Sequence, residues 1–207
     1  YGYGRYTMAD GTEYDGEGAA DRPNGFGRLE SPDGATYEGE WQQGQRHGYG
    51  RAEGPPGLVY EGTWRHDERH GYGIEHRPDG SSYEGDWQED MRHGQGREDR
   101  PDGAFHEGAW EFNQALGPGR RRAATGIEIS GMWNDDSVST GLLTLPTGLE
   151  YAGPLFSDGS RKASARLAGW LQNAAERGDP YAQLMLGTLY LDFETPAPDL
   201  DAARRWL

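Results

Sequence analysis

Aromatic residues and glycine alternate with acidic residues at 37–41, whose sequence is Tyr-Glu-Gly-Glu-Trp. A period of two is the pattern of a β-strand with one polar face. A second short strand is predicted at residues 48–51, Gly-Tyr-Gly-Arg, with residues 43–46 as the loop that connects the two. Pro-Asp-Gly turns then lead into the next pair of strands. The pattern predicts a β-hairpin.

The hairpin pattern recurs every 23 residues. Its Tyr-x-Gly-x-Trp segment returns at 60–64 and 83–87, and further copies keep the glycines in register while the other signature residues fade. Such a period predicts a tandem array over residues 1–159, about seven copies with the first and last degenerate, stabilised by contacts between neighbours. The fold class predicted for it is an elongated, single-layer antiparallel sheet. Because residues 2–5 match 48–51, we expect the sequence to begin inside an earlier copy.

The regular glycines require a cause, because glycine weakens a strand. We predict that the rings of Tyr37 and Trp41 lie on one face and cover the bare backbone at Gly48 and Gly50. The opposite face is predicted to carry charged residues that pair across strands. These residues are Glu38, Glu40 and Arg51.

Together, Tyr-Glu-Gly-(Glu/Asp)-Trp, His-Gly-x-Gly and an Asp-Gly turn resemble the MORN repeat (membrane occupation and recognition nexus). The resemblance covers about residues 1–159. The outer copies depart from it: Gly18 and Leu155 stand at the tryptophan position, and His106 and Ile129 at the tyrosine position. We expect those copies to bind less well and to cap the array.

From Arg161 onward the pattern becomes helical. Apolar residues at helical spacing predict a first helix that Gly178 ends, and Asp179-Pro180 reads as the start of a second. A third is predicted from about Asp199. The apolar positions are Leu167, Trp170, Leu171, Ala174 and Ala175 in the first helix, and Ala182, Met185, Leu186, Leu189 and Tyr190 in the second.

This second domain, residues 160–207, resembles a truncated Sel1-like repeat, a relative of the tetratricopeptide helix pair. Trp170 and Trp206 lie 36 residues apart in similar settings. The resemblance implies an α-solenoid-type helix pair with further copies beyond it. The last hairpins are rich in apolar residues, including Leu143 and Leu145, so we expect them to pack on the first helix and form a rigid junction.

Charge is distributed unevenly between the two predicted domains. Residues 1–159 hold 29 acidic residues and 14 Lys or Arg, a net −15, whereas residues 160–207 are neutral. An acidic array disfavours nucleic acid and anionic membrane surfaces, although the family name implies a membrane. The basic run 120–122 is predicted to be a solvated turn. No signal peptide or membrane span is visible, and the compartment, cytoplasm or cell envelope, stays open.

Residues that could support chemistry are few. Histidines recur at His47, His70 and His93, but successive copies lie about 9.6 Å apart, too far for one zinc ion. We interpret them as loop histidines that bond the backbone. No phosphate loop, nucleophile arrangement or enclosed carboxylate pair is found, so no catalytic site, metal or cofactor is predicted.

The remaining candidate is an aromatic stripe, interpreted either as structural cover for the glycines or as an exposed binding surface. Its residues are Tyr37, Trp41, Tyr60, Trp64, Tyr83, Trp87 and Trp110. We predict a non-catalytic scaffold that binds a protein partner, a basic or amphipathic segment, through this stripe and the helical repeats. Alternatives are a peripheral lipid-binding module and a glycan-binding array, and exposed edge strands allow a homo-oligomer.

Overall fold

The computed structural model describes residues 2–135, 137–155, 163–190 and 204–206. Its strands are β1 (Gly2–Thr7), β2 (Glu13–Ala19), β3 (Arg22–Glu30), β4 (Thr36–Gln42), β5 (Gln45–Gly54), β6 (Leu58–Arg65), β7 (Glu68–His76), β8 (Ser82–Gln88), β9 (Met91–Asp99), β10 (Phe105–Glu111), β11 (Gln114–Arg122), β12 (Glu128–Asn134), β13 (Ser137–Thr144) and β14 (Glu150–Pro154). Two helices follow, α1 (Ala165–Glu176) and α2 (Pro180–Tyr190), and residues 204–206 are helical.

The strands belong to one open antiparallel sheet in which strand order follows chain order. The predicted class, a mostly β protein of tandem hairpins with a helical C-terminal segment, is therefore confirmed. The chain divides into two compact units, residues 1–101 with 109–114 and residues 102–108 with 115–207. The predicted domain boundary at 159/160 and the start of a third helix near Asp199 lie outside the described residues.

Two-residue turns close the hairpins. Gln43 and Gly44 join β4 to β5 with φ values of 54° and 89°, and His66 and Asp67 join β6 to β7 with 52° and 70°. Positive φ at both positions is the mirror-image turn that matches the twist of paired strands. The loop predicted at 43–46 is therefore too long, because β5 already begins at Gln45.

Glycine is required at the two positions of His-Gly-x-Gly for different physical reasons. In the β4–β5 pair, Gly39 faces Gly50 and Trp41 faces Arg46, so three residues of β5 lie opposite the single residue Glu40. Gly48, inside this bulge, has φ +58°, which glycine adopts without steric cost. The prediction that an aromatic ring covers Gly48 is therefore wrong, because a Cβ at this position would meet the Glu40 carboxylate.

At Gly50 the predicted cover is confirmed. A Cβ at this position would lie 2.5 Å from Cζ and 2.6 Å from Cε2 of Tyr37. The same relation links Gly73 to Tyr60 and Gly96 to Tyr83. Each tyrosine ring therefore occupies the space that a side chain on the neighbouring strand would need.

In the second unit, α1 packs on the last strands. Leu143, Leu145 and Leu155 share one buried cluster with Leu167 and Leu171 of α1. The predicted packing of the hairpins on the first helix is confirmed; the rigidity of the junction stays a prediction, since residues 156–162 lie outside the described residues.

The predicted end of the first helix at Gly178 and the predicted start of the second at Asp179-Pro180 are also confirmed. Ser164 caps α1 by accepting the Leu167 N–H at 3.1 Å. Gly178 follows α1 with φ +92°. Asp179 caps α2, with its Oδ1 accepting the N–H groups of Tyr181 and Ala182 at 3.0 and 2.9 Å. That the pair is a Sel1-like repeat stays a prediction.

Candidate functional site

The seven predicted stripe residues lie on one side of the sheet, which we call the inner face. They are buried: Trp41, the most exposed, keeps only 7% of its surface accessible and Tyr83 keeps none. The expectation of an exposed stripe is therefore wrong. Whether these residues contact a partner is untested and stays a prediction.

Edge-to-face packing buries the rings. The Trp64 ring centroid lies 5.1 Å from that of Tyr60 in its own copy and 5.4 Å from that of Tyr37 in the preceding one, at interplanar angles of 86° and 87°. Its indole N–H donates to the Gly50 carbonyl at 3.1 Å, and Trp41, Trp87 and Trp110 make equivalent bonds. Each tryptophan thus ties its copy to the preceding one, which supports the structural interpretation of the stripe.

An arginine covers three of these tryptophans, Trp64, Trp87 and Trp110. Arg46 lies 4.1 Å above the Trp64 ring, a cation–π geometry. Its Nη2 donates to the Asp67 carbonyl at 2.7 Å, and its backbone N–H donates to Asp67 Oδ1 at 2.9 Å. We call this set of an arginine, the tryptophan and the turn residue of the next copy the arginine clasp. It recurs as Arg69 with Trp87 and Asp90, and as Arg92 with Trp110 and Asn113.

Desolvation by this packing affects the phenols. Burial raises the pKa of Tyr14 to about 12. The pKa values of Tyr37, Tyr60 and Tyr83 are also raised, chiefly by burial. The inner-face tyrosines are therefore neutral hydrogen-bond donors at physiological pH; Tyr60, for instance, donates to the Thr63 carbonyl at 3.1 Å.

Two open depressions lie between the clasps and the turns on the inner face. The first, about 390 Å³, is lined by Leu29, Ala35, Tyr37, Trp41 and Arg46 among others. The second, about 440 Å³, is lined by the residues one copy further on: Ala52, Leu58, Tyr60, Trp64 and Arg69. Both combine apolar residues with charged residues of the clasps, and Glu53 also lines the second.

In the following copies an ion-pair network replaces the apolar residues. Glu75 and Glu98 stand where Leu29 and Ala52 stand in the earlier copies, and Arg77 bridges them at 2.7 and 2.8 Å. Desolvation raises the pKa of Glu98, but its bonds to Arg77 and Arg92 outweigh this, so the pKa is lowered overall. The inner face is thus apolar near Leu29 and Leu58 and ionic near Glu75 and Glu98.

The opposite side of the first unit, the outer face, carries exposed rings that sequence reasoning missed. Phe26, Tyr49 and Tyr72 are 52%, 57% and 53% accessible, and Tyr3 is the most exposed at 75%. These four, the outer aromatic row, occupy the x position of His-Gly-x-Gly or its equivalent. The 23-residue spacing is the available signal for these rings, but the glycines on either side of them indicate only a backbone covered by the inner rings.

Charges on the outer face do not pair as predicted. Glu38 faces Arg51 across the β4–β5 pair, yet Arg51 forms its ion pair with Glu53 on its own strand at 3.0 Å. Glu40 instead accepts the backbone N–H of Tyr49 at 3.0 Å. Arg51 therefore pairs along its own strand, and the Glu40 carboxylate binds the backbone of the bulge. Neither forms the predicted cross-strand ion pair.

His47, His70 and His93 lie in β5, β7 and β9. Their interpretation as loop histidines is therefore wrong. The Nδ1 atoms of His47 and His93 are buried and have no hydrogen-bond partner within the described part of the chain. Among the described residues, no group of three or more His, Asp or Glu side chains is arranged to hold a metal ion.

The basic run 120–122 lies in β11, so its prediction as a solvated turn is wrong. Arg121 lies 4.4 Å above the Trp133 ring, and Arg120 and Arg122 pair with Glu128 at 3.6 and 3.8 Å. These contacts lie inside the second unit. The three arginines thus serve its internal packing.

No helix among the described residues is long and apolar enough to cross a membrane. No curated protein matches the sequence. Similar solved structures include the Drosophila melanogaster SAS-4 (dCPAP) TCP domain in complex with a proline-rich motif of Ana2 (16% identity, TM-score 0.41, covering 72% of this chain and 87% of that one). The TCP10 domain of Danio rerio CPAP with a STIL peptide also matches (13%, 0.33, 72% and 82%). At such scores the likeness establishes no shared function.

The MORN repeat model matches five consecutive segments, residues 2–13, 14–36, 37–59, 60–82 and 83–105. These boundaries coincide with the 23-residue period predicted from the pattern. The copies predicted beyond residue 105 fall outside the match. With half of its residues in these five repeats, the chain belongs to the MORN repeat family.

Proposed function

We propose that this protein is a non-catalytic scaffold that binds an amphipathic segment of a protein partner on the inner face of its MORN array. The observation that carries the proposal is the pair of apolar depressions, one at Leu29 and Ala35 and the next at Ala52 and Leu58. Repetition of one site is how repeat proteins build extended binding surfaces.

The partner reaches the depressions and not the faces of the tryptophans. Leu58 is 38% exposed on the rim of the second depression, whereas Trp64 beside it is 4% exposed. Two sites about 9.6 Å apart, two strand spacings, match apolar side chains on one face of a helix or an extended chain. The C-terminal helices, as part of a Sel1-like array, extend the same scaffold.

Acidic residues beside the depressions do not select a basic partner on this face. Of the two partners expected from the sequence, a basic or an amphipathic segment, we therefore propose the amphipathic one. The clasp arginines Arg46 and Arg69 are matched by Asp67 and Asp90. The inner face therefore favours an apolar contact with a neutral, hydrogen-bonding rim. Glycan stacking on the tryptophans is disfavoured by the same burial, because a sugar needs an accessible ring face.

Substitution of an exposed rim residue tests the proposal. Truncating Trp64 or Trp87 to Ala would remove a buried ring and lower the free energy of unfolding by about 3–5 kcal/mol. Such a variant would measure stability and not partner binding. Leu58→Glu places a charge in the depression and leaves the core intact. Met132→Glu, at a position 64% exposed in the second unit, is the matched control.

Affinity capture from source cells with the intact chain, followed by photo-crosslinking from position 58, identifies the contact. We expect the partner captured by the unchanged chain to be lost with Leu58→Glu, to be retained with Met132→Glu, and to crosslink at position 58. Equal capture by both variants would refute inner-face binding.

A further inference from the structure

The geometry points to a second interaction surface: the outer face of the MORN array binds a basic segment in polyproline conformation, with a Lys or Arg at every third position. This surface is separate from the inner-face depressions. Its evidence is the outer aromatic row, the carboxylates beside it and the spacing of both.

Each ring of the outer aromatic row has an acidic neighbour. Tyr49 Oη donates to Glu61 Oε1 at 2.6 Å, and Tyr72 Oη donates to Glu84. Phe26 faces Glu40, and Tyr3 faces Glu17, in the strand register. An exposed ring with a carboxylate at its edge attracts a cation by two routes, the electron-rich ring face and the ionic charge. The four rings therefore mark four cation sites.

The carboxylates beside the rings lack cationic partners. Among the described residues, the register places twelve acidic residues and six arginines on the outer face of β1–β9. Four of the arginines pair with acids away from the rings: Arg5 with Glu13, Arg28 with Glu30, Arg51 with Glu53, and Arg97 with Asp99. The other two, Arg22 and Arg65, lie beside the two-residue turns.

Eight acids therefore have no ion pair within this described part of the chain. Seven of them lie in the two rows nearest the rings: Asp15, Glu17, Glu38, Glu40, Glu61, Glu84 and Asp86. The inner face differs, because its clasp arginines balance its acids. The acidic excess of the array is thus concentrated beside exposed aromatic rings, which determines the sign of the charge on the ligand.

Spacing determines the conformation of the ligand. Equivalent rings lie two strands apart, about 9.6 Å. A polyproline II helix rises about 3.1 Å per residue with three residues per turn, so every third side chain lies on one side at a spacing of about 9.3 Å. A β-strand places side chains three residues apart on opposite sides. Successive cations of a triplet repeat therefore align with successive rings.

The depression beside these rings has room for the intervening residues. It measures about 560 Å³ and is lined by Phe26, Tyr49, Thr36 and Glu38 among others. Arg28 and Arg51 also line it, each paired with an acid of its own strand. Proline residues between the cations would contact Phe26 and Tyr49, and the preformed helix would lose little conformational entropy on binding.

The probe is a fluorescein-labelled peptide of four Arg-Pro-Pro triplets, measured by anisotropy with the intact chain at low and physiological salt. The control peptide has the same composition with its arginines contiguous. We expect the triplet peptide to bind roughly tenfold more tightly than the control. The double variant Tyr49→Ala and Tyr72→Ala should reduce its affinity roughly tenfold.

Matched variants separate ring, charge and fold. Tyr49→Phe with Tyr72→Phe keeps the rings and should retain most of the affinity, whereas Glu61→Gln with Glu84→Gln should reduce both the affinity and its salt dependence. Leu58→Glu on the inner face should leave peptide binding unchanged, so this test stands apart from the partner-capture experiment. Equal affinity for the two peptides, no binding of either, or full binding by the alanine variant would overturn the proposal. Unchanged circular dichroism establishes that the variants are folded.

Discussion

Replacing Gly73 by alanine tests the packing argument on which the fold rests. A Cβ at this position would lie 2.5 Å from Cζ and 2.6 Å from Cε2 of Tyr60, whereas carbon atoms in contact lie about 3.5–4.0 Å apart. The Tyr60 ring must move or the strands must separate. Gly54→Ala is the matched control, because it is also a strand glycine and nothing lies within 4 Å of its added Cβ.

The expected cost follows from the contacts that the ring would lose. Overpacking of a filled site costs about 1–3 kcal/mol. Tyr60 also packs edge-to-face on Trp64 and Trp87, at centroid distances of 5.1 and 5.4 Å, and each such pair contributes about 0.5–1.5 kcal/mol. We expect Gly73→Ala to lower the free energy of unfolding by about 3 kcal/mol. Gly54→Ala should be neutral or raise it by about 0.5–1 kcal/mol.

Urea unfolding monitored by tryptophan fluorescence measures both variants. The midpoint should fall by about 1 M or more for Gly73→Ala. In a Tyr60→Val background the same glycine substitution should cost far less, because the obstructing ring is gone. If Gly73→Ala and Gly54→Ala have the same midpoint, or the cost persists without the ring, the explanation of the glycine period is wrong.

Three further substitutions test other contacts. The lowered pKa of Glu98 contributes stability that is fully present above the ordinary glutamate pKa of 4.5 and is lost as the pH falls through the lowered pKa. Glu98→Gln should therefore flatten the acid limb of a curve of stability against pH. An unchanged acid limb would contradict the ionic network. Asp179→Ala removes the cap of α2 and the hydrogen bond from Thr147 at 2.6 Å. It should lower the free energy of unfolding, measured by thermal melts in far-UV circular dichroism, by about 1–2 kcal/mol, whereas Gln172→Ala at an exposed position should leave it unchanged. Arg69→Gln should raise acrylamide quenching of tryptophan by uncovering Trp87, with the exposed Arg65→Gln as control; equal quenching would refute the clasp.

The repeat and its strands could be predicted from the sequence because both are properties of local spacing. Tyr37, Gly39 and Trp41 alternate with acids, and the 23-residue period recurs in the family match. The apolar spacing of α1 and the cap at Asp179 are equally local. The strands, the helix and the cap each depend on residues within about one turn or one strand of each other, and the period repeats that local pattern along the chain.

Burial of the tryptophans could not be predicted, because it depends on a residue of another copy. Arg46 covers Trp64, and its position depends on Asp67, 21 residues away in the chain. The left-handed conformation of Gly48 depends on a bulge, which alternation alone does not indicate. The exposure of Tyr49 was missed because its neighbouring glycines were assigned to the inner rings.

The arginine clasp joins each of the copies 37–59, 60–82 and 83–105 to the next with residues in equivalent positions, so Arg46 would meet Asp90 if residues 60–82 were deleted, as it now meets Asp67. Excising or duplicating residues 60–82 would thus preserve the clasp at each joint, although excision would also remove Arg77 and its bridge to Glu98. Tandem duplication of the gene segment therefore yields a foldable product at once, and the number of copies is free to drift in evolution while the joints between them stay the same.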